Sequence, residues 1–293
     1  MTQDGAGQFH GDPLVEGDVV YIGTDGRTSL VYAFDRLTGE VLWKMSSERV
    51  APGITGFPTD LLPSGESLYT ATAGNFVVAL DRRGGSVKWV FRGPLAGEER
   101  RYPGAPALTG GRLLHAGSDG TLSAFEPSTG AVIWKRALGT AFTTSVVAVP
   151  GGDVIVGTED KRLLRVRPAD GKTVAQIELS HRPSYTPVVW KDLAYVVSER
   201  ELFAVAVSLR KVVWSKTAAK EWSTPRPRIW TDLVVVGDGG DLRAFDARSG
   251  QERWKEAFEG TIRGVGSEGD VLYVGTLQGD VVAFRPNRAA AGR

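Results

Sequence analysis

A tryptophan that returns about every 42 residues inside one recurring phrase constrains this chain more than any other feature. Trp43, Trp89, Trp134, Trp214 and Trp254 lie 46, 45, 80 and 40 residues apart, and the gap of 80 spans two periods with one Trp missing. Self-similarity at such a period is the mark of propellers, solenoids or arrays. The phrases are YAFDRLTGEVLW from Tyr32, VALDRRGGSVKW from Val78, SAFEPSTGAVIW from Ser123 and RAFDARSGQERW from Arg243. AVAVSLRKVVW from Ala204 keeps Trp214 but has Arg210 where the others have Gly, RVRPADGKTVA from Arg165 has Ala175 in place of Trp, and VAFRPNR from Val282 breaks off before that position. Seven units result, at roughly 9–48, 55–94, 102–139, 142–180, 183–219, 222–259 and 261–293.

Each phrase reads as a hairpin. An alternating apolar strand runs into Asp35, Asp81 or Asp246, whose carboxylate suits the N–H groups of a tight turn. Four residues on, Gly39, Gly85, Gly130, Gly171 and Gly250 supply a positive φ, and a second strand follows with the Trp. Upstream lie another β run with its own turn, such as VVYIGTDG from Val19 or VVVGDGG from Val234, and a shorter run such as Pro13–Val15. Four strands per unit with no helical periodicity, repeated about seven times, fit a closed radial array. The expected fold is all-β: a single β-propeller over 1–293 with about seven four-stranded blades, the alternatives being eight blades or an incompletely closed last blade. The last unit lacks its outer strand, and residues 2–10 are the expected source of one.

Composition removes whole classes of chemistry. With 42% apolar residues the 293-residue chain can fill a core, and 35 Lys and Arg against 34 Asp and Glu argue against bulk nucleic-acid binding. There is no Cys, which excludes disulfides, thiol nucleophiles and thiolate metal sites, and only His10, His115 and His181 remain for imidazole chemistry. No apolar run is long enough for a membrane helix. The start, MTQDGAGQFH, has neither the basic nor the apolar region of a secretory signal, so an envelope or periplasmic location requires a removed leader and the alternative is the cytoplasm.

The pattern Ala-x-Asp-x-x-(Thr/Ser)-Gly-x-x-x-Trp, met in full at Ala33–Trp43 and Ala244–Trp254 and with one change each at Ala79–Trp89 and Ala124–Trp134, resembles the repeat of the pyrroloquinoline-quinone-like propellers. The resemblance implies that Trp43, Trp89, Trp134, Trp214 and Trp254 pack between blades. It also offers three functional branches: quinoprotein dehydrogenases, a non-catalytic propeller lipoprotein of the outer-membrane barrel assembly machine, and propeller sensor domains of bacterial Ser/Thr kinases. The dehydrogenases carry an adjacent Cys pair and a calcium site, which the absent Cys and the mere two Asn disfavour. No nucleophile elbow is present. The Glu98–Glu99 pair and the GDGGD turn at 237–241 read as loop and turn.

Loops entering the innermost strands are the expected binding surface. Phe9, Phe57, Tyr102, Phe142 and Trp222 recur four or five residues before those strands, with Tyr185 slightly later. Such aromatics either plug the channel end or form a rim that stacks a flat ligand or docks a peptide. Arg100, Arg101, Arg182, Arg226, Arg228 and Arg263 lie in the same loops, as a cationic mouth or a solvated rim. A basic run, Lys161, Arg162, Arg165 and Arg167, reads as an exposed strand face rather than a nucleic-acid site, since no aromatics interleave it. The function expected is a monomeric, non-catalytic scaffold that takes protein partners on its loop face, touches a membrane only indirectly and needs no cofactor. The alternative is a sensor that binds pyrroloquinoline quinone or another small anion, and the third reading is a dehydrogenase.

Overall fold

The computed structural model describes residues 8–9, 12–25, 30–52, 54, 56, 60–72, 74–94, 104–224 and 226–285. Seven antiparallel sheets follow one another along the chain and are the blades of a β-propeller. Blades 2 to 6 are four-stranded meanders, from Leu62–Ser64 through Val87–Arg92 in blade 2 to Arg228–Trp230 through Glu252–Ala257 in blade 6. The only helical element among the described residues is a single 3-10 turn, Ser47–Arg49. The chain groups into two compact units, Met1–Val146 with Arg167–Lys172, and Val147–Val166 with Thr173–Arg293.

The motif turns form as their residues demand. The Asp35 carboxylate accepts from the N–H groups of Leu37 at 2.9 Å and Thr38 at 2.8 Å, and Asp81 and Asp246 repeat the arrangement. Gly39, Gly85, Gly130, Gly171 and Gly250 have φ between 70° and 73°. After each motif Ala the outer strand slips by one residue in a bulge, which sets the Trp directly opposite that Ala: Ala33 with Trp43, Ala79 with Trp89, Ala124 with Trp134.

This register aims each indole at the next blade. Trp43 Nε1 donates to the Arg82 carbonyl at 3.2 Å, Trp89 to Pro127 at 2.8 Å, Trp134 to Pro168 at 2.9 Å and Trp214 to Ala247 at 3.0 Å. Each acceptor follows the Asp position of the neighbouring turn, and the ring lies on that turn's Gly: a Cβ on Gly130 would stand 2.6 Å from Trp89. A tyrosine that sequence reasoning had not singled out shares three of these acceptors. Tyr21, Tyr69 and Tyr195 donate to the carbonyls of Arg82, Pro127 and Ala247 and tilt against the same indoles at 5.9 Å.

Where the Trp is missing, the lock is rebuilt from other parts. Blade 4 has Ala175 at the Trp position and Arg165 at the motif Ala position, and Arg165 Nη1 donates to the Val207 carbonyl at 3.2 Å, the equivalent acceptor in blade 5. The turn of blade 5 has the same length but closes one residue earlier, with the Leu209 N–H donating to the Ala206 carbonyl, so positive φ falls on Leu209 rather than Arg210, and the Leu209 side chain is buried in the cluster against which Ala175 packs. Arg165 supplies the donor and Leu209 the volume that the indole supplies elsewhere.

Two expectations are corrected. Gln8 and Phe9 do not complete the last blade; they pair with Asp25 and Thr24 and extend the inner edge of blade 1. The basic run of blade 4 is an exposed strand face only in part: Lys161 and Arg167 are exposed, whereas Arg162, paired with Asp160 at 2.6 Å, and Arg165, paired with Asp153 at 2.8 Å, are half-buried, because each of these two has an acid within reach on its own blade. The last blade has three strands among the described residues, Ile262–Glu268, Val271–Thr276 and Val281–Phe284.

Candidate functional site

In a four-stranded meander the turn between the second and third strands and the connection to the next blade leave from the same end of the sheet. At blade 6 that end is organised by Asp238, whose buried carboxylate accepts from the N–H groups of Ala219 at 2.7 Å and Lys220 at 2.8 Å and pairs with Arg243 at 2.9 Å. Arg243 also makes a bidentate bond to Glu252 at 3.1 and 2.8 Å. The carboxylates of Glu252 and Asp238 hold its guanidinium firmly charged. The same guanidinium lies 5.5 Å from the ring centre of Trp222 and 4.9 Å from that of Phe245. The GDGGD turn thus ties down the connection that enters blade 6, a role its composition alone does not reveal.

Beside this network lies a concavity of about 540 Å³ lined by Lys220, Glu221, Gly239, Gly240, Phe258, Gly260 and Thr261. The ammonium groups of Lys255 at 2.9 Å and Lys220 at 3.6 Å hold the Asp241 carboxyl below its usual range, the Lys255 bond being the stronger cause. The wall carries one lysine, one glutamate and backbone glycines, with Phe258 as its apolar part. Such a lining suits the polar backbone and one apolar side chain of a peptide. No nucleophile stands beside a general base there.

Blade 5 presents a second charged cluster at the corresponding end. Arg182 reaches Glu159 at 2.7 Å and Glu199 at 3.3 Å, while Ser180 and His181 both bond to Glu201, the imidazole at 3.1 Å. In the first compact unit a smaller cavity of about 60 Å³ is bordered by Asn75, Phe91, His115, Asp119 and Lys135. His115 is buried, its Nε2 lies 3.3 Å from Asn75 Oδ1, and burial pushes its pKa down to about 4, so it is neutral at physiological pH.

The aromatics expected at the rim separate into different settings. Trp222 is buried, edge-on to Phe245 at 6.3 Å, and its backbone bridges to Asp238; Phe142 is also buried, whereas Tyr185 is partly open to solvent. Of the arginines, Arg182 is neutralised by two glutamates, Arg228 donates to Ser267 Oγ at 2.9 Å, Arg226 is half-buried and Arg263 is exposed. Phe57, Arg100, Arg101, Tyr102 and the Phe9 side chain lie outside the described residues. Sequence reasoning missed Asp238, Arg243 and Lys220 as a unit. The signal available was Asp238 itself, which stands where the equivalent strand ends carry Thr24, Thr72, Thr158, Ser198 and Thr276.

A family model described as outer membrane protein assembly factor BamB matches residues 1–117, 118–264 and 238–290. The chain belongs to this family. BamB of Shewanella oneidensis is 24% identical over 282 residues, covering 84% of this chain and 67% of that protein, and BamB of Yersinia pestis is 26% identical, covering 92% and 60%. The serine/threonine-protein kinase AfsK of Streptomyces griseus is 29% identical over 147 residues, half of this chain and 18% of the kinase. The chain therefore spans about two thirds or less of the length of these relatives. The crystal structure of BamB from Moraxella catarrhalis superposes with a TM-score of 0.76 at 19% identity, over 95% of this chain and 86% of that one. At that identity the likeness to BamB establishes the propeller fold and nothing finer.

Proposed function

We propose that this chain is a non-catalytic protein-interaction scaffold of cell-envelope assembly, working with components that assemble outer-membrane proteins. The BamB family match along nearly the whole chain carries the reading. The chemistry of the blade ends supports it: their acids and bases are spent on one another, as in the Asp238–Arg243–Glu252 and Arg182–Glu159–Glu199 sets, and what faces the concavity suits peptide contacts. Among the described residues, those at the blade 6 concavity do not fit pyrroloquinoline quinone, a flat tricarboxylate that needs an open ring to stack on and surplus positive charge. Trp222 is buried, Arg243 is fully paired, and Lys220 shares its site with Asp241 and Glu221. Cross-linking the protein in envelope extracts tests the scaffold role, with recovery of outer-membrane assembly components as the expected result and their absence as the contrary one.

The AfsK match favours a second reading, a sensor domain for a small polar ligand. Titration with pyrroloquinoline quinone separates the two: the scaffold reading expects neither Trp fluorescence nor melting temperature to move at saturating micromolar ligand.

A further inference from the structure

The outer strand of blade 5 carries charge that nothing in its own chain answers. It runs from Val212 to Thr217, pairs on one side with Glu201–Ala206, and among the described residues no strand pairs with its other edge. The outer strands of blades 2, 3, 4 and 6 end their sheets in the same way, so the edge alone selects nothing. The side chains do. Among the described residues Arg210, Lys211 and Lys216 have no side-chain hydrogen bond, ion pair or ring contact. Elsewhere such cations are engaged at home: Lys88 donates to Ser67 Oγ at 2.9 Å, Lys135 lies 4.8 Å from the ring centre of Phe91, and Arg136 donates to the Asp170 carbonyl at 3.2 Å. In blade 6, Arg253 and Lys255 pair with Asp246 and Asp241, both at 2.9 Å. Glu201, the acid opposite Thr217 in blade 5, is already bonded to Ser180 and His181.

The turn explains how the cations come to stand there. Closing it one residue early puts the left-handed backbone on Leu209, at φ 55°, a conformation unfavourable to a bulky side chain. The next position is thereby released from the Gly that the other turns need, and Arg210 and Lys211 occupy it and its neighbour, both exposed. Val212 and Val213 follow, each 38% exposed. Lys216 stands about 15–20 Å further along the strand. A basic end, an apolar pair and a second basic point thus share one open edge.

We propose that the outer edge of Val212–Thr217 docks an extended acidic segment of a partner protein as a fifth strand, with acids at its two ends facing Arg210, Lys211 and Lys216 and apolar residues between them against Val212 and Val213. Main-chain bonds along the edge give affinity, and the charges fix the class of partner. Lipid headgroups share the negative charge but lack the row of N–H and C=O groups that a strand edge reads. The inference deepens the scaffold reading and rests on it for the existence of a partner.

The test uses the full chain and a fluorescent peptide of sequence GEETVTVEEG as the probe. The expected result is saturable binding that weakens about fivefold or more both for the glutamine peptide GQQTVTVQQG and for the variant Arg210→Glu with Lys211→Glu, as the loss of several exposed ion pairs requires. The peptide GEETPTVEEG, equal in charge but lacking one strand donor, should also bind about fivefold or more weakly. New amide-exchange protection should fall within Val212–Thr217. The peptide changes leave the protein untouched, so loss of folding cannot imitate their effect. The proposal is overturned by absence of saturable binding, by a glutamine or proline peptide that binds as well as the first, or by binding indifferent to the protein variant. Vesicles of phosphatidylglycerol held by Arg210 and Lys211 where the peptide is not would assign the edge to a membrane and overturn it too. Peptide binding without recovery of assembly components would uphold the edge and overturn the scaffold reading; the reverse would overturn the edge alone.

Discussion

His115 shows how one buried side chain makes the fold sensitive to acid. Its pKa of about 4 in the folded state lies below the ordinary 6.5, so between these values the unfolded chain binds a proton that the folded chain refuses. Stability therefore falls as pH drops from about 6.5 to about 4 and levels off below, by about 3 kcal/mol in all. Melting temperatures across that range should decline more steeply for the native protein than for His115→Gln, and parallel curves would contradict the assignment. The motif glycines permit a finer experiment. Gly39 and Gly130 share φ values of 73° and 72°, but nothing lies within 4 Å of a Cβ on Gly39, whereas Trp89 blocks one on Gly130. Gly39→Ala should cost about 1–2 kcal/mol for the left-handed backbone alone, and Gly130→Ala about 1–3 kcal/mol more for the displaced ring, as read by chemical denaturation. The turn role of these glycines was legible in the sequence from their spacing after Asp. Their role as the seat of an indole was not, because it depends on the neighbouring blade.

Between elements, the Trp-to-carbonyl lock explains why the phrase repeats as it does. Removing Trp89, which is largely buried and bonded to Pro127, should cost about 3–5 kcal/mol on truncation to Ala. The blade 4 to blade 5 joint makes a sharper prediction, since Arg165 there bonds to Asp153 and to the Val207 carbonyl. Arg165→Ala should destabilise by about 1–3 kcal/mol by leaving Asp153 and Val207 without their donor. Adding Ala175→Trp and Leu209→Gly to that variant should recover part of the loss, and a strictly additive series would show that the two arrangements are not equivalents. Strand count and hairpins were readable from period and turn chemistry. The exchange of Trp and Gly for Arg, Ala and Leu was not, because Ala175 and Arg210 look like simple lapses of the motif until Arg165 is seen across the joint. Periodicity placed Phe9 in the first unit but did not reveal that Gln8 and Phe9 pair there as a strand, since a two-residue strand carries no pattern.

For the whole molecule, the phrase that resembles the quinone-binding propellers encodes inter-blade packing, not the chemistry for which those propellers are named. Residues of the motif are consumed by packing and by turns, while the blade ends vary from unit to unit and hold the Asp238 network, the Arg182 cluster and the concavity at Lys220. The cationic rim expected from six arginines was legible as positions but not as charge, because Glu159 and Glu199 reach Arg182 from other segments. Site-specific photo-cross-linking from the exposed blade ends, at Arg263 and Tyr185, in intact envelopes tests the central claim most directly. The scaffold account predicts discrete adducts to outer-membrane assembly components, diminished by Arg228→Glu with Lys220→Glu at unchanged melting temperature; an absence of such adducts from a folded, correctly located protein would contradict it.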